Sequence, residues 1–426
     1  MSDERTLCLG IDLSDILTQI SCYDMEDGEP VAVAYKYAGK DVYEIPSVLA
    51  YDVKYKIWYF GTEAEEKRKN AGFVAIRNIF ELCMNETEIK IEDFVFSTDE
   101  LLRIFLIRLL NIIKGRYPLE RIKKLGLTSS MMDEKFKHKI KNAFIAAGLD
   151  EDRFFFIEHS KSYMYYALSQ KSELWVNNVG LFEFYRDEQN YLRLKFVQLK
   201  IDRSQSPFIV GIDERDLTEN MDLRSYDRIS DFEKINNFTN MANAIFYKNV
   251  ITTVYIIGSR YAEGWLDRSL RKLCVGRRIF KGENLYTRGA CYASKILDEG
   301  GSKTFVLMDG SGINSNIYLR IFSGGETKLY RVVRAGNRWE DVDESVDIIP
   351  DDEDEISIVV ENVITRQKKL HMLSVSSVDG RPNRLTRFTF RIRFAGAGEC
   401  IITLKDNGFG EFYKSTNRIW ERTLKL

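Results

Sequence analysis

Along residues 1–300, short apolar runs alternate with segments whose apolar residues recur at helical spacing. Continuous apolar runs predict buried strands at Leu7–Leu13, Ile122–Thr128 and Thr253–Ile257. Helical spacing predicts helices over 133–147 and 231–247. A capping-box pattern at Ser97–Glu100 predicts the start of another helix, whereas the polar stretch 200–228 predicts an irregular segment. Strands mixed with helices over this length indicate an α/β body.

The pattern changes after about residue 304, where strict alternation replaces helical spacing. Over 385–394, Phe388, Phe390, Ile392 and Phe394 fall on one face, and Arg387, Thr389, Arg391 and Arg393 on the other. A period of two predicts a strand with one buried face and one basic, hydrated face. Because no long helical pattern follows residue 310, the remainder is predicted to be a second, all-β domain.

Composition limits the compartment and the partners that are expected for this protein. The chain has 426 residues, of which 30% are charged, and its net charge is −2, so nucleic acid is not expected as a partner. Its six cysteines are scattered without a C-x-x-C pair, which is typical of a reducing compartment. The most apolar helix, 101–113, is too short and too charged to span a membrane. We therefore expect a cytoplasmic protein without a membrane partner.

Motifs in the body occur in a familiar order. They are Leu9-Gly-Ile-Asp-Leu13, Ile45-Pro-Ser-Val-Leu-Ala-Tyr51, Phe73-Val-Ala-Ile-Arg77, Ile157-Glu-His-Ser160, Ile256-Ile-Gly-Ser-Arg260 and Gly289-Ala-Cys-Tyr-Ala293. Val306–Asp309 and Cys400–Asp406 continue the series. In order and spacing these segments resemble the DnaK-type heat-shock chaperones of the actin-like ATPase superfamily, without the helical lid of that family.

This resemblance implies an actin-like (ribonuclease H-like), two-lobed nucleotide-binding-type domain over 1–300, a linker over 301–312 and a β-sandwich over 313–426. The ligand it implies is ATP or ADP with magnesium. The residues it places around a nucleotide are Gly10, Asp12, Ser14, Glu183, Gly258 and Ser259, with Asp12 also reaching the metal through water. Asp12, Arg77 and Glu158 are the catalytic candidates, and Asp12, Arg77, Glu158 and Gly258 are expected to face one cleft.

The sequence departs from the family pattern in the two turns that contact phosphate in the family. The stretch 183–190 has no glycine where the family has a glycine-rich turn, and it adds Asp187 and Glu188. The first turn has Ser14-Asp-Ile16, which again lacks glycine and adds a carboxylate. Glycine-free turns keep the backbone amides from approaching phosphates. We therefore expect a degenerate ATPase site and a protein that does not act as an enzyme.

Two functions remain open from the sequence. The first is a chaperone-like protein that binds a protein or an extended peptide, with a degenerate nucleotide site. The second is a slow ATPase or nucleotide sensor. The acidic run 340–355, with ten carboxylates and no base, precedes a basic region. Either the run is a hydrated neighbour of a basic face, or Arg387, Arg391 and Arg393 bind an acidic partner with which the run competes.

Overall fold

The structure is a computed structural model of the chain. It describes residues 6–24, 28–187, 191–204, 206–221, 228–309, 312–351, 355–363, 365, 367–375 and 381–426. The chain divides into two compact units, of which unit 1 comprises Met1–Lys200 and Ile212–Ser302, and unit 2 comprises Ile201–Gly211 and Lys303–Leu426. The division at Ser302 falls two residues after the predicted boundary at residue 300, but Ile201–Gly211, predicted as part of the first domain, belongs to unit 2.

The first half of unit 1 contains thirteen strands and five helices in the described residues. Its elements are β1 (Leu7–Leu13), β2 (Leu17–Asp24), β3 (Val31–Ala32), β4 (Tyr35–Tyr37), β5 (Lys40–Val42), β6 (Glu44–Pro46), β7 (Leu49–Asp52), β8 (Ile57–Phe60), α1 (Gly61–Lys67), β9 (Phe73–Ile76), α2 (Ile79–Asn85), β10 (Glu88–Ile91), β11 (Phe94–Ser97), α3 (Thr98–Lys114), β12 (Ile122–Ser129), α4 (Glu134–Ala146), β13 (Phe154–Glu158) and α5 (His159–Leu168).

The second half of the α/β region continues with strands and helices in alternation. These elements are β14 (Asn178–Arg186), β15 (Leu192–Asp202), β16 (Phe208–Asp216), α6 (Asp231–Phe246), β17 (Ile251–Ile257), α7 (Leu266–Leu273), β18 (Arg278–Lys281) and α8 (Leu285–Asp298).

The main sheets of the two halves share one topology. In the first sheet, β1 lies between antiparallel β2 and parallel β12, and β13 pairs in parallel with β12. In the second sheet, β14 lies between antiparallel β15 and parallel β17, and β18 pairs in parallel with β17. Each sheet has its own hydrophobic core, one built with α3 and α4 and the other with α6 and α7. The predicted mixed α/β class is confirmed.

Helices α5 and α8 cross between the two sheets of unit 1. The hydroxyl of Ser162 in α5 donates to the carbonyl of Tyr286 in α8. Helix α8 also lies directly on β1, where a Cβ added at Gly10 would be 1.9 Å from the carbonyl oxygen of Thr287. Gly10, one of the residues predicted to lie around a nucleotide, permits this close contact between helix and strand. The packing brings the first turn of α8 to the end of β1.

Unit 2 contains strands β19 (Phe305–Met308), β20 (Ser315–Ser323), β21 (Glu326–Val333), β22 (Asp343–Ile348), β23 (Glu355–Asn362), β24 (Lys368–Ser374), β25 (Phe388–Gly396), β26 (Glu399–Asp406) and β27 (Ile419–Lys425). Eight of them form two four-stranded sheets, ordered β21-β20-β23-β24 and β22-β25-β26-β27. Side chains from both sheets share one core, so the predicted all-β domain is a two-sheet sandwich.

Phe388, Phe390 and Ile392 are fully buried in the sandwich core, as their alternation predicts, and Phe394 is partly buried at its margin.

One local prediction was wrong: residues 200–228 are not irregular throughout, because β16 occupies Phe208–Asp216. The predicted linker contains β19, whose residues pair in parallel with Phe208–Gly211 within unit 2. The helix predicted to begin at Ser97–Glu100 is α3, although Ser97 makes no side-chain capping hydrogen bond. In β16 and β19, strand pairing that the local pattern does not indicate forms the element. Residues 310 and 311 of the linker lie outside the described residues.

Across the described ranges, no helix is both long enough and apolar enough to cross a membrane.

Candidate functional site

Two side chains meet where the parallel strands of the first sheet end. Asp12 is the penultimate residue of β1, and His159 begins α5 directly after β13. Because β1 and β13 flank β12 in parallel, their carboxyl ends lie at the same edge of the sheet. Nε2 of His159 lies 2.7 Å from Oδ1 of Asp12. A carboxylate only accepts, so the imidazole donates this hydrogen bond.

The first turn of α8 extends this pair to the second sheet. The ring of Tyr286 stacks on His159, with centroids 3.9 Å apart and planes inclined by 6°. The Tyr286 hydroxyl donates to Oε2 of Glu183 near the end of β14, at 2.6 Å. Asp12, His159, Tyr286 and Glu183 thus form a continuous connection between the two sheets, which we call the bridge. Its two stacked rings link the two carboxylates.

The bridge is electrostatically asymmetric. Burial opposes a charge on His159, but the Asp12 carboxylate outweighs it and raises the pKa of His159 above its ordinary value. Glu183 acts in the same direction, and Lys195 opposes it. Burial, together with Glu183, raises the pKa of Tyr286 well above its ordinary value. The bridge therefore favours a charged imidazole and a protonated phenol.

Ser14 and the residue after it have structural partners in the first turn. The Ser14 hydroxyl donates to the carbonyl of Leu17 at 2.7 Å and accepts from its amide at 3.2 Å, which closes the turn between β1 and β2. The Asp15 carboxylate accepts from the amide of Phe80 at 2.8 Å, at the start of α2. Both groups are thus committed to local structure and to the end of a helix.

The second predicted phosphate turn is a β-hairpin. Strand β14 continues to Arg186 and pairs there with Leu192 of β15. Asp187 then accepts from the amide of Tyr191 at 2.8 Å and from the guanidinium of Arg193 at 2.6 Å. Glu188 and the two residues after it lie outside the described residues. The described part of the turn presents paired strands and an ion pair in place of free backbone amides.

Gly258 and Ser259 lie beside the bridge. Ile257 pairs with Glu183 across β17 and β14, and Gly258 follows it with φ +67°. A Cβ at Gly258 would be 1.8 Å from the carbonyl oxygen of Phe184, so only glycine fits. Ser259 lines a hollow of about 340 Å³ together with Ala262, Glu263, Gly264, Leu266, Asp267 and Lys281. Its lining is largely polar.

Arg77 and Glu158 do not join this cluster. The exposed guanidinium of Arg77 donates to both carboxylate oxygens of Glu65, at 2.7 and 2.9 Å. Glu158 is exposed at the end of β13 and lies 3.4 Å from the ammonium of Lys161. The structure thus brings Asp12, Glu183 and Gly258 into one neighbourhood and leaves these two catalytic candidates outside the bridge.

In the sandwich, the acidic run lies beside the basic face. Strand β22 pairs antiparallel with β25, which places Asp343 opposite Arg393. Nε of Arg391 donates to Asp343 at 2.6 Å, and Arg387 lies 3.8 Å from Asp347. Two of the three predicted partner-binding arginines are therefore paired with carboxylates of this chain. Residues 352–354 of the run lie outside the described residues.

Sequence reasoning missed His159 and Tyr286. A signal for His159 existed, since it directly follows a strand that ends at the same edge as β1. Tyr286 gave no such signal, because only the crossing of α8 brings it to Glu183. Among the described residues, no three His, Cys, Asp or Glu side chains converge as metal ligands.

Residues 29–310 match the model described as the C-terminal part of a family of unknown function, DUF5716. The chain belongs to this family. Residues 312–426 match a domain of unknown function, DUF8552. The junction of the two matches, near residue 311, lies close to the division between units 1 and 2. A search of curated proteins found no match to this DUF5716 member.

Proposed function

We propose that this DUF5716 member is a chaperone-like, non-hydrolysing binding protein. Its body would be an actin-like domain in which the bridge has replaced the nucleotide phosphates. Its β-sandwich would bind a protein or an extended peptide. The observation that carries the proposal is the bridge itself, because its two rings lie between the carboxylates that the resemblance assigns to a nucleotide site.

The repeated topology supports a two-lobed body. Two sheets with the same strand order and the same pattern of parallel and antiparallel neighbours each have a separate core. The bridge lies where α5 and α8 cross between them, and its end residues, Asp12 and Glu183, come from equivalent central strands. This is the position at which a two-lobed domain would hold a shared ligand.

The residues at this position do not fit a magnesium-bound triphosphate. Phosphate binding needs unpaired backbone amides or cationic side chains. Asp12 is hydrogen-bonded to His159, and the hairpin after β14 is closed by Asp187. Glu183 adds a further negative charge, and two like charges 4 Å apart repel by about 4 kcal/mol near a protein surface. We therefore derive no hydrolytic step.

A peptide would add to the edge strands of the sandwich. Strands β21 and β24 end one sheet, and β22 and β27 end the other. An extended peptide can add to an edge strand through main-chain hydrogen bonds. The alternative, a nucleotide sensor, is supported by the polar hollow beside Ser259.

The test combines turnover with ligand-induced stabilisation. We expect the full chain to release no phosphate from magnesium-ATP and to show no change in melting temperature with magnesium-ATP or magnesium-ADP. A ligand at 100 times its Kd would stabilise the folded state by about 2.7 kcal/mol, which is readily measured. Turnover that Asp12→Ala abolishes would refute the proposal. A melting shift without turnover, lost in Ser259→Ala, would favour the sensor.

A variant that opens the bridge tests whether the two rings merely block ATP or whether the site also lacks the residues for hydrolysis. Tyr286→Ala removes one of the two rings between the carboxylates. We expect it to remain inactive toward ATP, because the hairpin after β14 still lacks glycine and still contains Asp187. Tyr185→Gly is the matched test on that hairpin and is also expected to be inactive. If Tyr286→Ala hydrolyses ATP and the wild type does not, the residues for hydrolysis are present and the ring of Tyr286 only blocks the site.

A further inference from the structure

Exposed apolar side chains gather at one end of the second sheet of unit 1. Strands β14, β17 and β18 are parallel neighbours, so the loops that precede them lie at the same edge. Val176, Val250 and Val275 lie within three residues of these strand starts and are 52%, 67% and 78% exposed. Tyr247, in the second loop, is 73% exposed. We call these four residues the edge patch.

Two side-chain contacts join the loops of the edge patch. The side-chain amide of Asn178 donates to Asn249 at 3.0 Å, joining the first two loops. The guanidinium of Arg277 lies 4.0 Å from the ring centroid of Phe246, joining the second and third. Adjacent strands are about 4.8 Å apart, so the three strand starts span roughly 10 Å. The apolar side chains are thus presented close together on a fixed framework.

Basic residues surround the edge patch. Segments 171–178, 247–251 and 271–278 contain six basic residues and one acidic residue, Glu173, an excess of five positive charges in a chain whose net charge is −2. Glu173 is paired with Arg278 at 2.9 Å. The basic residues are Lys171, Lys248, Arg271, Lys272, Arg277 and Arg278. The surface is therefore locally positive as well as apolar.

We propose that the edge patch docks an acidic segment of another protein that also carries apolar side chains. Grouped, exposed apolar side chains mark interaction sites, and an apolar centre with a polar rim is the usual anatomy of an interface. A positive rim selects a negative partner and speeds its association. The proposal shares with the proposed function only the premise of protein binding, and it is independent of the bridge.

A second copy of the chain is disfavoured as the occupant. The acidic run 340–355 is the part of this chain with matching composition. Its Asp343 and Asp351 carboxylates are already engaged by Arg391 and Arg384 in the same sandwich. Its apolar residues Val342, Val346 and Ile348 pack in or against the sandwich core, so they would have to leave this core to reach the edge patch. A separate protein requires no such rearrangement.

The test uses a dye-labelled synthetic peptide in which pairs of glutamates alternate with leucine and tryptophan. Its anisotropy is titrated with the full chain at low and raised salt. We expect saturable binding that weakens with salt, because the rim charges are exposed. Bound peptide should also slow alkylation of Cys274, which lies next to Val275 and is exposed, whereas the other five cysteines are buried.

Two variants and two controls assign the binding site. The double variant Arg271→Gln with Lys272→Gln, and separately Val275→Ser, are expected to raise the peptide Kd by about tenfold, equivalent to about 1.4 kcal/mol. The controls are Lys54→Gln with Lys90→Gln, and Val95→Ser, whose side chain is 59% exposed elsewhere. The controls should retain the original Kd. Melting temperatures establish that all variants are folded.

Three results would overturn the proposal. The first is peptide binding that all variants leave unchanged, or no binding at all. The second is equally strong binding to phosphatidylserine vesicles that Val275→Ser abolishes, which would make the surface a lipid site. The third is concentration-dependent dimerisation that Val275→Ser abolishes, which would make it a contact between copies. None of these results bears on ATP turnover, so this inference and the proposed function fail separately.

Discussion

The imidazole of His159 donates to the carboxylate of Asp12 across 147 residues of sequence, at 2.7 Å. This hydrogen bond fixes the ring in the plane on which Tyr286 stacks. It therefore aligns the first turn of α8 with the edge of the first sheet. Asp12, the residue expected to reach a metal ion through water, thus anchors a connection between two sheets.

The hydroxyl of Tyr286 is expected to stabilise the fold through Glu183. Tyr286→Phe keeps the stacked ring and removes the donor to the carboxylate. Hydrogen bonds to charged groups contribute about 1.5–3 kcal/mol, so the free energy of unfolding should fall by that amount. Chemical denaturation measures it. Tyr247→Phe, at a 73% exposed tyrosine, is the control and should stay within about 0.5 kcal/mol.

Stability should depend on pH through His159. Its pKa is raised in the folded state, so its contribution is fully present below the ordinary value of about 6.5 and is lost as pH rises through the folded-state pKa. Denaturation curves from about pH 6 to pH 9 should show this decline. His159→Gln should flatten this part of the profile. A wild-type profile identical to that of the variant would show that the imidazole is not charged in the bridge.

The buried ion pair between Asp406 and Arg381 is expected to hold the end of the sandwich. Burial alone would raise the pKa of Asp406, but Arg381 and the Thr416 hydroxyl and amide hold it well below its usual range. Asp406→Ala leaves the guanidinium of Arg381, whose side chain is 6% exposed, without its carboxylate partner, which costs about 3–5 kcal/mol. Its matched control is Asp351→Ala, which removes an exposed partner of Arg384 and should cost less than about 1 kcal/mol.

The same carboxylate gives an acid limit to the stability of the sandwich. Because the folded-state pKa of Asp406 is lowered, its contribution is present above the ordinary value of about 3.9 and is lost as pH falls below it. Acid titration of the wild type, followed by tryptophan fluorescence, should therefore show that the sandwich loses stability as the pH falls below this value. Asp351→Ala should leave the acid midpoint unchanged.

The two faces of β25 should respond differently to truncation. Phe390 is completely buried, so Phe390→Ala should cost about 3–5 kcal/mol. Arg393 is exposed on the opposite face, and Arg393→Ala should stay within about 0.5 kcal/mol. Equal losses in both variants would show that the basic face is itself structural.

The sequence determined the division into an α/β region and a sandwich. Periods of two and 3.6 depend only on which side chains must leave water, so alternation at Phe388–Ile392 and spacing at Phe136–Phe144 predicted real elements. The absence of glycine from the hairpin after β14, where the resembled family has a glycine-rich turn, was also evident from the sequence. The resemblance led to Asp12, Glu183 and Gly258, which do lie in one neighbourhood.

Only the tertiary structure decided what those residues contact. Tyr286 reaches Glu183 because α8 crosses onto β1, a packing made possible by the missing Cβ of Gly10. Residues 208–216 and 305–308 were predicted as irregular and as linker, but they form neighbouring parallel strands that are distant from each other in sequence. In the sequence, the valines of the edge patch lie in three separate loops. Only the parallel pairing of β14, β17 and β18 brings these loops to one edge of the sheet. Local patterns record burial and periodicity, whereas a site depends on which distant segments the fold places side by side.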